Sequence, residues 1–168
     1  MIVLAEMDFY DQLIPTITNS KEEKYVDRNH KLGYCVFDFP ILSQREAFFE
    51  GIGFNRLNHN DTIFMYCQSI NDRPEYCSKL DYKPIPNPKF VQINFEYLLI
   101  KYIPTGINKG KATLALNIDM KLNFVPLGIM EMVCKKFCFD FFKVVMQASE
   151  NFKGSKWEAK VKRHPEAF

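Results

Sequence analysis

The feature that most constrains this chain is an unbroken helical pattern from Val125 to Phe152, near the C-terminal end of its 168 residues. Leu127, Met130, Cys134, Phe137, Phe141, Val145, Ala148 and Phe152 recur every three or four residues, the spacing that sets side chains on one helical face. Ile129, Met132, Val133, Phe142 and Met146 widen that face and leave Glu131, Lys135, Asp140, Lys143, Gln147 and Glu150 as a narrow polar stripe. A face this wide is expected to be covered on more than one side. Pro126, whose fixed φ and missing N–H suit the first helical turn, and Lys153-Gly154 mark the two ends. Two readings stand at this point: a core helix packed on a sheet, or a lid over an apolar chamber.

A chain of this length fits one domain with a substantial core, and its 16 Phe and 8 Tyr make that core aromatic. The formal net charge is only +2, with acids and bases nearly balanced, so nothing suggests a phosphate-tracking surface and nucleic-acid binding is set aside. Five cysteines, an odd number placed mostly in apolar runs with no recognisable secretory signal, point to a reducing, cytoplasmic compartment. Cys134 and Cys138 lie one helical turn apart but no histidine is near them in sequence, so they read as buried small hydrophobes and not as metal ligands. No apolar run is long enough to cross a bilayer.

Ahead of the long helix the pattern has period two. Met1–Ile14 reads as a short helix stopped by Pro15, Lys21–Val26 as a weak strand, and Leu32–Phe39 as a strand after the turn Asp27–His30. Pro40-Ile41-Leu42-Ser43-Gln44 breaks the pattern with two aliphatic residues at an exposed loop tip. Arg45–Leu57 and Thr62–Ile70 form a hairpin, and Asn71–Pro88 is expected to be irregular because of its four prolines. Phe90–Ile103 is a long strand whose phase breaks at Leu98, Leu99 and Ile100, as a bulge would require. Ala112–Leu122 alternates most clearly, with Leu114, Leu116, Ile118, Met120 and Leu122 on one face. These strands predict a curved antiparallel meander gripping one helix. The end of the chain, residues 155–168, reads as a short amphipathic tail around Trp157, basic enough to favour an anionic membrane or simply a solvated helix face.

Three local motifs, in this order and spacing, resemble the START (StAR-related lipid-transfer) domain. They are Glu6-x-Asp8-x-Tyr10 followed by Pro15; Phe39-Pro40 with Ser43-x-Arg45-Glu46; and Ile118-Asp119-Met120-Lys121 with Val125-Pro126. The resemblance runs from about Ala5 to Phe152. Met120 departs from it where the family often has Pro, and the family's N-terminal helix and first strands have no counterpart here. It implies an α+β helix-grip domain over residues 1–154 holding one lipid, a phospholipid or sterol, in an internal cavity. That cavity would be lined by Leu127, Met130, Cys134, Phe137, Phe141, Val145, Ile93, Phe95, Leu114, Leu116, Ile118 and Arg45. The same resemblance makes Pro40, Ile41 and Leu42 a gate loop that dips into the membrane. With the first strands missing, two expectations stand: Met1 is an artificial or incompletely known start, or the chain is a shortened relative whose sheet edge is open or completed by another polypeptide.

Function stays divided between lipid transfer and a degenerate domain acting as a structural or adaptor subunit of a larger assembly. An enzyme is the third choice, since no nucleophile-base pair, metal set or phosphate loop can be assembled. His30, His59 and His164 read as surface residues, and Glu46 and Glu50 as part of a charged exterior face. Arg45 reads either as a headgroup ligand or as the partner of Glu46 or Glu50 in a structural ion pair.

Overall fold

Strand length and turn chemistry set the architecture. The computed structural model describes residues 6–39, 42–106, 109–122 and 125–163, apart from the side chains of Leu127 and Val133. A single 3-10 turn (Met7–Phe9) runs into α1 (Tyr10–Leu13) and then β1 (Ile17–Asp27), β2 (His30–Phe37) and β3 (Arg45–Arg56). A one-turn helix, α2 (Leu57–Asn60), leads to β4 (Thr62–Ser69), α3 (Pro74–Lys79), the two-residue β5 (Val91–Gln92), β6 (Asn94–Gly106) and β7 (Lys109–Asp119). Two helices end the chain, α4 (Leu127–Glu150) and α5 (Lys156–Arg163). The sheet order is β1-β2-β3-β4-β6-β7 with every neighbour antiparallel, while β5 pairs parallel to the start of β3. This is the expected α+β arrangement of a curved meander and a long C-terminal helix.

Alternation divides the sheet into two buried faces. The inner face carries Cys35, Phe37, Ala47, Phe49, Met65, Cys67, Phe95 and Ile100, and α4 closes over it with Phe141 and Ala148. The outer face has its own small core of Leu32, Phe48, Ile70 and Cys77, with Tyr34, Tyr76, Leu80 and Tyr82 packed around it. That second core corrects the expectation for Asn71–Pro88. Pro74 stands at the start of α3, where its missing N–H costs nothing, so the segment folds back on the sheet instead of trailing off. The Asn71 side chain secures the return: its carbonyl accepts from Phe48 N–H at 3.0 Å and its amide donates to Ile93 O at 2.9 Å.

Three further expectations shift. The first helix shrinks to two short turns, with residues 1–5 outside the described ones. The phase break in β6 falls between Phe95 and Tyr97, earlier than expected, which turns Tyr97 outward and lets Leu98 and Ile100 face inward. The long helix is covered on one side only: among its described side chains Met132, Phe139 and Met146 are 63%, 67% and 61% exposed. β7 is the last strand of the sheet, and its residues Lys109–Thr113 are exposed.

Met7 is seated where β2 and β3 carry glycines. A Cβ on Gly33 would lie 2.4 Å from Met7 Sδ and 3.0 Å from the Phe49 ring, and one on Gly51 would lie 2.6 Å from Met7 Cε. Gly33→Val is therefore expected to destabilise the chain by about 1–3 kcal/mol through overpacking. Adding Met7→Ala should recover part of that loss, as a double-mutant cycle by chemical denaturation would read.

Candidate functional site

The space between α4 and the inner face is a run of three adjoining hollows. The first, about 50 Å³, lies among Tyr10, Ile14, Cys35, Phe49, Phe95, Phe137 and Phe141. The middle one, about 20 Å³, shares Phe37, Phe95 and Phe137 with it and adds Leu116, Ile118 and Met120. The third, about 150 Å³, opens between Ile118, Asp119, Met120 and Leu122 on one side and Met130 and Cys134 on the other. The first two are walled almost wholly by apolar groups, while Asp119 brings polar surface to the third.

The structure brings together most of the residues singled out by the sequence. Met130, Cys134, Phe137, Phe141, Phe95, Leu116 and Ile118 line these hollows, while Val145 and Leu114 pack against the same core half-buried. Ile93 is fully buried without lining any of them, and the Leu127 side chain is outside the description. Pro40 and Ile41 lie outside the described residues. Leu42 is not bare, as a loop tip would have it: it is half-buried against the core. Cys134 is exposed and Cys138 half-exposed, which corrects their reading as buried thiols; Cys134 stands at the rim of the 150 Å³ hollow, where no described side chain packs closely over it. Tyr10, Ile14 and Cys67 were missed; they come from elements far apart in sequence, and only the closed sheet unites them.

Arg45 is buried on the inner face at 4% exposure. Its Nε donates to Met120 O at 3.3 Å and its Nη1 donates to Ser43 O; Met120 lines two of the hollows, but Arg45 itself lines none of the three. Among the described residues no carboxylate lies within ion-pair distance of it. The expected pair with Glu46 or Glu50 fails for a geometric reason, since adjacent residues of a strand point to opposite faces. Burial also pulls the guanidinium pKa below its ordinary value.

Glu46 and Glu50 are not exterior charges; both are buried on the outer face. Glu46 accepts from Tyr34 OH at 3.0 Å and from Asn87 N–H at 2.9 Å. Glu50 meets Arg73 Nη1 at 2.7 Å, His30 Nε2 at 3.1 Å and the Tyr76 hydroxyl. His30 is thus a half-buried partner and not a plain surface residue, whereas His59 is exposed. These groups bind α3 and the proline segment to the sheet, on the side away from the hollows. No group of three or more metal-ligating side chains occurs among the described residues, and no described helix is long and apolar enough to cross a membrane.

No family model and no curated protein matches the sequence. Solved structures do. Human STARD10 aligns at a TM-score of 0.74 with 14% identity, over 99% of this chain and 65% of that one. Human StAR-related lipid transfer protein 5 aligns at 0.68 and 11%, over 85% of this chain and 64% of that one. A STAR-related lipid transfer protein from Xanthomonas axonopodis aligns at 0.65 and 14%, over 88% and 76%. The chain has the START fold, and it spans about two thirds of the two human structures.

Burial first, and then the hydrogen bond and charge of Glu50, push the Tyr76 phenol up to about 12, with Arg73 pulling the other way. The fold thus favours the neutral phenol. Its stabilisation is intact below the unfolded value near pH 10 and lost as pH rises through about 12. Denaturation midpoints should fall across that window, and Tyr76→Phe should flatten part of the fall.

Proposed function

We propose that this chain binds one lipid, a phospholipid or sterol, between α4 and the inner face of the sheet and carries it between membranes. The observation that carries the reading is the run of hollows under a single helix, apolar along its length and met near Met120 by a buried cation without an acidic partner among the described residues. Empty apolar space costs roughly 24 cal/mol per Å³, so even the 50 Å³ hollow costs about 1 kcal/mol where filling it was open to selection. Solved neighbours that are lipid transfer proteins by name support the same reading.

The hollows are too small as they stand. Pockets for small organic ligands take about 300–1,000 Å³, so this form is closed and α4 moves outward to admit a guest. The lipid-binding unit on this reading is residues 1–154, with 155–168 as its tail. α4 and the 40–44 loop form the gate, Leu42 leaving its half-buried position for the membrane as the gate opens. Arg45 takes the anionic end of the guest, because a desolvated guanidinium binds phosphate or carboxylate through charge-assisted hydrogen bonds.

A second reading, a docking subunit of a larger assembly, is favoured by one specific observation. β7 ends the sheet with its edge open, and α4 turns Ile129, Met132, Phe139 and Met146 outward. A partner strand laid on β7 would complete the sheet.

Incubation with mixed vesicles followed by native mass spectrometry separates the two. Lipid transfer predicts one lipid per chain, loading cut at least about tenfold by Leu116→Trp or Ile118→Trp, and a selective loss of anionic lipid in Arg45→Met. Leu42→Glu should abolish transfer with the circular dichroism unchanged. A lipid-free chain that purifies only with a stoichiometric protein partner would establish the docking reading instead.

A further inference from the structure

The lid helix is held unevenly. In the first half of α4 only Met130, Phe137 and Cys138 among the described side chains are even partly covered, and the 150 Å³ hollow lies beneath Met130 and Cys134. In its second half Phe141 and Ala148 are buried, Phe142, Val144 and Val145 are partly so, and the helix meets α1. Packing therefore tightens toward the C-terminal end.

Just beyond that end the chain reverses at Gly154, whose φ is +78°, and enters α5 through a reciprocal cap. Ser155 Oγ accepts from Glu158 N–H at 3.3 Å while the Glu158 carboxylate accepts from Gly154 N–H at 2.5 Å. α5 docks on the N-terminal turn. Its Lys160 pairs with the fully buried Glu6 and lies 3.5 Å from Asp8 Oδ2. Lys156 donates to Gln12 Oε1 and stands 4.2 Å above the Phe9 ring, and Trp157 meets that ring edge-on at 5.8 Å. Burial opposes the Lys160 charge, but Glu6, Asp8 and Glu22 outweigh it and hold its pKa above the ordinary value.

The N-terminal turn is a firm anchor in its own right. Asp8 Oδ1 accepts from Glu22 N–H at 2.6 Å, Ser20 Oγ accepts from Asp11 N–H at 3.0 Å, and Met7 fills the space left by Gly33 and Gly51. Whatever α5 grips is gripped by the sheet.

We propose that α5 is a clasp that pins the C-terminal end of α4 to the N-terminal turn, making that end the hinge and the Pro126 end, over the larger hollow, the mouth. The clasp joins α5 to the N-terminal turn through a set of ion-paired, hydrogen-bonded and aromatic contacts. Its consequence for ligand entry rests on the reading of α4 as a lid; the uneven hold on the helix does not.

Hydrogen exchange on the full chain tests it without any lipid, so a failure here and a failure of lipid loading are separate results. Amides of residues 130–138 should exchange at least about tenfold faster than those of residues 141–149. Lys160→Glu, which sets a negative charge against Glu6 and Asp8, should raise the second set to within about threefold of the first and shift the emission of Trp157, the sole tryptophan, to the red. If Lys160→Glu fails to fold, Lys160→Met, which removes the charge but keeps the bulk, should move both readouts the same way. Equal exchange along native α4 would overturn the proposal, and so would rates in the second half that stay unchanged in the folded variant.

Discussion

The structure depends on β3 being buried on both of its faces. Arg45, Ala47, Phe49 and Gly51 point to the chamber side while Glu46, Phe48 and Glu50 point to the outer core, and all seven are on one strand between β2 and β4. A strand so placed can carry charge only where each charge has a partner, since an isolated buried ion is too costly. The outer carboxylates meet this condition with hydroxyls, a backbone amide, Arg73 and His30. Those bonds attach α3 and the proline segment, which in turn exclude water from the outer face. The inner face has only Arg45, resting on main-chain oxygens. Partition of charge by strand alternation thus separates a satisfied outer layer from an underfilled inner one.

What was legible in the sequence was whatever a single element decides. The alternation Leu114, Leu116, Ile118 set the inward face of β7, and the three- and four-residue spacing of Phe137 and Phe141 set the underside of α4. What stayed illegible depends on how distant segments meet. Glu46 and Glu50 look like exterior charges until the segment after Ile70 folds across them, and nothing in β3 announces that cover. The prolines around α3 read as breakers because their position relative to a helix start is invisible without the helix. In β6 the clean alternation through Tyr97 was misleading: the irregularity beside Glu96 exchanges the two faces, and aromatic residues fit either.

The long helix shows how a correct pattern can yield a wrong inference. Its apolar arc is as wide as the sequence indicates, yet the sheet covers only the underside, leaving Met132, Phe139 and Met146 in the open. Burial of that stripe would be favourable by about 25 cal/mol per Å², a gain the closed sheet leaves unrealised. Underside and outer face of α4 thus differ: the first packs on the sheet, the second stands exposed.

A lid that must both seal and open sets conflicting demands on packing. Complete interdigitation of α4 with the sheet would maximise stability but would make opening cost the whole of that contact. The structure divides the demand along the helix. Phe141 and Ala148 are packed to core standard, and the Met130 end is left over open space, so displacement of that end forfeits little buried area. The residual hollows are therefore not defects of packing. On the proposed reading of α4 as a lid they lower the free-energy difference between closed and open forms at the Met130 end, and a guest whose apolar surface fills the opened space would return the lost contacts. On that reading Arg45 would add a directional term to this balance: its guanidinium is already desolvated, so an anionic group arriving there would meet a donor whose dehydration cost is part of the fold and is not charged again at binding.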